Sequence, residues 1–347
     1  MRRAARNALL LSAAVPLAML GPLVRPGAAS ADPAAGVPRH YRVVNLGSLG
    51  GNGPGEAFAL NDRGDVVGES PAPDGSIHPF LWRNGAMTDL GVLDPNHPYG
   101  SAIDVNNAGE VVGSGDVANG TAIHAFLWRD GVLTDIGTLG GTFSGADAIN
   151  DLGQITGMST TADGAYHAFV WQNGQMTDLG VSNVTDINDH GQLVGSTNFP
   201  TGYHGYLMEN QQITDLGALP GGVYSEAHAI NNRGWIVGDS DSAGHPGARG
   251  AYLWRNGTMR ELPGLDGTYS TATTINDRGQ VLGQSIAGDE LRPVLWQQGR
   301  VIDLTTRGIT SGGVGEGAGG LRDINNSDHI AGAYYFTFGM PQPALFV

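Results

Sequence analysis

Four histidines stand at equivalent places in a recurring motif. His78, His124, His167 and His204 each open an aromatic-ended segment, HPFLW, HAFLW, HAFVW and HGYLM. Imidazoles are common metal ligands, but equivalent positions in successive repeats fall on separate sheets, too far apart to share one ion. A structural role is expected instead, each ring hydrogen-bonding backbone between neighbouring repeats. A second series is acidic: Asp89, Asp135, Asp178, Asp215, Glu261 and Asp303, one per repeat in a T-D-L-G segment or a variant of it. A catalytic carboxylate pair needs two acids about 5–10 Å apart in unlike environments. Equivalent acids on successive repeats read as surface or inter-repeat contacts.

Several chemistries are excluded by composition. The chain has no cysteine, and all 18 basic residues are arginine. Disulfides, thiolate catalysis, Schiff-base lysines and P-loop lysines are therefore absent. No G-x-S-x-G, H-E-x-x-H or nucleotide-binding loop occurs. No cofactor and no metal residue is assigned, and the sequence carries no positive sign of catalysis. The formal charge is −15, and it becomes −19 without the four arginines of residues 1–31. A surface this acidic repels phosphate backbones, so nucleic acid is not an expected partner.

The elements that position these residues are repeats. A strand of small residues ends in Asn61, Asn106, Asn150, Asn188, Asn231, Asn276 and Asn325, at spacings of 45, 44, 38, 43, 45 and 49. A turn and an aliphatic pair follow, ending in Gly68, Gly113, Gly157, Gly195, Gly238, Gly283 and Gly332. Then come the aromatic-ended segment, an Asn-Gly or Asp-Gly hairpin signal, and the acidic segment. The Asn turns lack the alternating acids of a calcium loop and read as Asx turns. Each unit is a four-stranded antiparallel meander of roughly 44 residues, the size of a propeller blade. The fold expected is all-β: a seven-bladed β-propeller of four-stranded antiparallel blades. The last copy stops after its third strand, and residues 41–47 supply a fourth-strand sequence before the first copy. Val43–Leu46 is therefore expected to pair with Ala344–Val347 and close the ring, which removes exposed sheet edges.

Residues 1–31 combine Arg2, Arg3 and Arg6, an apolar stretch and Ala29-Ser30-Ala31. This is the pattern of a secretory signal peptide cleaved after Ala31. Residues 32–40 read as a flexible lead-in and residues 41–347 as one propeller domain. The expected location is secreted, with no membrane span in the mature chain, and a monomer is expected.

The motifs HAFLW (124–128), TDIGTLGG (134–141) and INDxGQxxG resemble the extracellular HAF repeat family over residues 41–347. The resemblance implies a bacterial extracellular protein and no particular activity. The departures are Gly250, Arg292 and Gln342 or Pro343 at the histidine position, and Asp328 for a turn glycine. Those repeats are expected to close less regularly.

One further pattern bears on binding. Seven residues before the repeat Asn stand Tyr99, Phe143, Tyr224 and Tyr269, with Pro54, Val181 and Ala318 in the other copies. These positions end the long loop entering the first strand and are expected to gather at the mouth of the central channel. With Glu56, Asp94, Glu226 and Asp266 nearby, they form a candidate site for a glycan or cationic ligand. Packing between blades is the alternative role for the rings. The leading functional expectation is a non-enzymatic binding protein, recognising a glycan, cell-wall component or protein on the long-loop face. A hydrolase or lyase with a site at the channel mouth, and a purely structural repeat protein, are the rivals.

Overall fold

A computed structural model describes residues 38, 40–267, 269–309, 320–335 and 340–347. The leader, its cleavage site, most of the lead-in and Ala318 lie outside the described residues. The described chain is all-β, in four-stranded antiparallel sheets. We number the sheets I to VII by their first strands: Glu56–Leu60, Gly100–Val105, Gly140–Ile149, Asp186–Ile187, Ser225–Ile230, Ser270–Ile275 and Leu321–Ile324. Within each sheet the strands follow in chain order, and one parallel pairing, Phe143 with Ile123, links sheet III to sheet II. Sheet VII takes its fourth strand from the other end of the chain: Val43 pairs with Phe346, Val44 with Leu345 and Asn45 with Ala344. This is the pairing expected from the sequence. No helix among the described residues is long and apolar enough to cross a membrane.

The small first strand and the repeated glycine explain each other. A Cβ on Gly238 would lie 1.9 Å from the Glu226 carbonyl oxygen, and one on Gly68 would lie 1.9 Å from that of Glu56. Only glycine lets the first strand cross so close to the second. The bulky third strand covers this contact: Phe80, Phe126, Phe169, Tyr206 and Tyr252 are all fully buried. Apolar clusters then join neighbouring sheets. Ala59, Val67 and Leu81 of sheet I pack with Ala102, Val111 and Phe126 of sheet II. Leu60, Val66 and Phe80 of sheet I also pack with Ala331 and Leu345 of sheet VII.

The repeat asparagines tie the sheets together with hydrogen bonds. Each side-chain amide donates to the carbonyl of the next repeat asparagine: Asn61 to Asn106 at 3.0 Å, Asn106 to Asn150 at 3.1 Å and Asn150 to Asn188 at 2.9 Å. The series continues from Asn188 to Asn231 (3.0 Å), Asn231 to Asn276 (2.9 Å), Asn276 to Asn325 (2.9 Å) and Asn325 back to Asn61 (3.0 Å). The side-chain oxygen turns the other way: that of Asn231 accepts from the amides of Arg233 and Trp235, both at 3.0 Å. The Asx turn read from the sequence is thus also an inter-sheet clasp.

One expectation is corrected. The histidines do not bond backbone between repeats. His78, His124 and His167 each place Nδ1 2.8 Å from the acid of the same sheet's fourth strand, Asp89, Asp135 and Asp178, and His204 lies 2.9 Å from Asp215. The register fixes this, since Phe80 pairs with Asp89 and the histidine stands two residues away on the same face. The departing repeats keep the four-stranded pairing, although the Gly250 repeat has a register shift between Asp241 and Ser242, and substitutes stand in for the imidazole. Arg292 reaches Asp303 at 3.0 Å, and a Cβ on Gly250 would meet Glu261, which fills the missing imidazole's place. Asp328 adopts φ 66°, a conformation aspartate tolerates.

Replacing Asn231 with alanine orphans a buried carbonyl and unties a turn. It should lower stability by about 3 kcal/mol, read from the denaturant midpoint at unchanged slope. A loss below about 0.5 kcal/mol would show that the clasp is dispensable.

Candidate functional site

One irregularity aims side chains at a common centre. In six of the first strands the register slips at the residue three before the repeat asparagine: Phe58, Ile103, Asp147, His228, Thr273 and Arg322. A bulge re-aims the extra side chain. Here all six, together with Thr185 of sheet IV, line one cavity of about 370 Å³ to which every sheet contributes. These residues differ from repeat to repeat while the residue before each stays small or aliphatic: Ala57, Ala102, Ala146, Val184, Ala227, Ala272 and Leu321. That internal variability is the one signal in the sequence that could have marked them.

The cavity wall is acidic. Asp104 accepts from the amides of Val105 and, in the next sheet, Ile149, both at 2.8 Å. Asp186 does the same with Ile187 at 2.7 Å and Ile230 at 2.8 Å. Asp323 accepts from Ile324 at 2.8 Å and from Leu60 of sheet I at 3.1 Å. Burial outweighs these amide bonds and pushes Asp104 up to about 7 and Asp186 up to about 8, with Asp323 adding repulsion at both. Asp147 differs. It lines the cavity with no hydrogen-bond partner among the described residues, and desolvation alone pushes it up to about 7.

None of the eight residues expected at the channel mouth lines this cavity. The aromatic position comes just before the first strand, where the backbone bridges to the third strand of the preceding sheet. Tyr99 pairs there with Ile77, Phe143 with Ile123 and Tyr224 with Tyr203. The rings are held over the seams between sheets. Phe143 packs against Tyr166 at 5.9 Å. Asp94 caps a loop, accepting from Asn96 at 2.9 Å and Asn119 at 2.7 Å, and Asp266 accepts from Gly288 at 3.1 Å.

The remaining five come together in two equivalent seams. Between sheets V and VI, Glu226 and Asp239 face each other across paired strands. Arg249 reaches both carboxylates at 3.1 Å and lies over the Tyr224 ring at 4.3 Å, while Tyr203 stacks on that ring's neighbourhood at 5.4 Å. The Tyr224 hydroxyl donates to Glu226, and burial together with that carboxylate pushes the phenol up to about 12. Thr271 donates to Asp239 at 3.1 Å, and Tyr269 is raised by burial and then by the Asp239 charge. Between sheets I and II, Glu56 pairs with Glu69, burial raises Glu69 while the nearby Ser101 side chain opposes that rise, and Tyr99 is raised by burial and then by Glu69. Arg322 supplies the cation there, 2.6 Å from Glu56. Sequence reasoning missed Asp239, Glu69 and Arg249 because they lie on second and third strands, and only sheet register brings them to the rings.

No protein-family model and no curated protein matches the chain. Solved structures do. The β-propeller domain of the trilobed protease of Pyrococcus furiosus, described as having an open velcro topology, aligns with a TM-score of 0.53 at 8% identity, over 81% of this chain and 91% of that one. TolB of Acinetobacter baumannii aligns with a TM-score of 0.46 at 12% identity over 69% of this chain, and the match spans only 63% of TolB. A gluconolactonase of Xanthomonas campestris aligns with a TM-score of 0.39 at 12% identity, over 88% of this chain and 89% of that one. The first likeness shows a β-propeller fold.

Asp147 binds a proton in the folded chain over a pH range where it is ionised in the unfolded one. Its folded value is about 7, against about 3.9 when unfolded. Its contribution to stability is therefore present at low pH and is lost as pH rises through about 7. Asp147→Asn, which cannot ionise, should narrow the difference in melting temperature between about pH 5 and about pH 8. An unchanged difference would show that Asp147 titrates normally.

Proposed function

We propose that the chain is an exported, non-catalytic binding protein, a seven-bladed and closed β-propeller of the HAF repeat type. Its ligand docks at the loop end of the seams between sheets I and II and between sheets V and VI. Closure is supported by the asparagine series that returns from Asn325 to Asn61 and by the pairing of Val43–Asn45 with Ala344–Phe346. Export is supported by the charged and apolar leader ending in Ala29-Ser30-Ala31.

The observation that carries the binding reading is the recurrence of one arrangement in two seams. An acid pair, a hydroxyl and a tyrosine occupy repeat-equivalent positions: Glu56, Glu69, Ser101 and Tyr99, then Glu226, Asp239, Thr271 and Tyr269. Tyr99 keeps 41% of its surface exposed. Aromatic faces beside carboxylates suit a polyhydroxylated ring or a cationic group, and the ligand class proposed is a glycan or cell-wall component carrying such groups. Tyr99→Ala, Tyr224→Ala and Tyr269→Ala should each weaken a glycan found by array screening by about tenfold or more in calorimetry. Unchanged affinity in all three would remove the seams from the site. The secreted protein should begin at Asp32 by intact-mass measurement, and retention of residues 1–31 would refute export by cleavage.

A hydrolase or lyase acting in the central cavity is the second reading. Asp147 favours it, since an unpaired carboxylate raised to about 7 is poised for proton transfer. Activity on any glycoside or ester substrate that Asp147→Asn abolishes would establish it. Activity insensitive to that change would end it.

A further inference from the structure

His228 connects the central cavity with the acidic seam, and its surroundings fix its chemistry. Its Nδ1 lies 2.7 Å from the Ala272 carbonyl oxygen. A carbonyl only accepts, so Nδ1 carries a hydrogen, and in the neutral tautomer Nε2 presents a lone pair. That lone pair faces Asp239 Oδ1 at 3.4 Å and Glu226 Oε2 at 3.8 Å. In that tautomer three electron-rich atoms face one another, a repulsion that Arg249 offsets in part and that a cation among them would relieve. Both distances are longer than a normal hydrogen bond. They do fit donors that share an ion: atoms about 2.0–2.2 Å from a common metal at 90–120° are roughly 2.9–3.8 Å apart.

We propose that Glu226, His228 and Asp239 bind a divalent transition-metal ion of the zinc class, through Oε2, Nε2 and Oδ1. The three donor atoms lie within 4.8 Å of one another. The second shell is of the kind that metal sites use. The imidazole is oriented through its other nitrogen by a backbone carbonyl, and Asp239 is held by the Thr271 hydroxyl at 3.1 Å. One imidazole and two carboxylates suit zinc, cobalt or manganese better than calcium, which prefers an all-oxygen shell. Arg249 bonds Glu226 through the same Oε2 and Asp239 through Oδ2, and is the ion's competitor. Its side chain is 41% exposed and has room to withdraw into solvent. The site does not depend on a ligand at the neighbouring tyrosines.

The test is a titration of the mature protein with zinc by calorimetry and with cobalt by visible absorption. The wild type should bind one ion at this site with a cobalt d–d band. His228→Ala and Asp239→Asn should each weaken binding by about tenfold or more, and Arg249→Gln should strengthen it. His228→Gln replaces the alanine variant if that one does not fold, as judged by its melting curve. The proposal is overturned if the histidine and aspartate variants bind as the wild type does, or if neither wild type nor Arg249→Gln binds saturably. Loss of glycan binding in the tyrosine variants has no bearing on either outcome.

Discussion

A buried carboxamide has one acceptor and two donor hydrogens, and the architecture rests on how the repeat asparagine distributes them. Its oxygen closes a turn within its own sheet and its nitrogen reaches the next sheet's carbonyl. Local geometry and long-range assembly are therefore fixed by the same side chain. Asn231 is only 4% exposed, so neither demand can be met by water. Aspartate would lose the donor and serine the reach.

Around that clasp the repeat divides its labour. The glycine of the second strand admits the first strand at backbone contact distance, and the aromatic third strand fills the space above it. The bulge then turns one variable residue per sheet toward the centre. The scaffold positions stay constant because each is pinned from two sides. The bulged position is free to be Phe58 in one sheet, His228 in another and Arg322 in a third.

Much of the fold was legible in the sequence because spacing encodes it. The strand order, the tight turns and the pairing of the first strand with the last all follow from landmarks recurring in sequence. The cavity lining was not legible, because a bulge shifts register without changing residue type. The histidine–acid pairs were readable only in part: both members were visible, but their partnership depends on which residues stand opposite across a hairpin. The seam clusters needed still more, since Asp239, Arg249 and Tyr269 come from three different strands. Five of the eight candidate residues fall in those clusters, and none of the eight lines the cavity.

The pairing of Val43–Asn45 with Ala344–Phe346 has a consequence for how the molecule is made. The Val43–Asn45 segment has no strand partner until Ala344–Phe346 have been made. Its hydrogen bonds and the cluster of Leu46 and Leu345 are unavailable throughout synthesis. Contacts this remote in sequence form slowly, so sheet VII is completed after the sheets whose strands are consecutive in the chain. A sheet completed late fits the export proposed above, in which the chain would be threaded through a translocation pore before it folds.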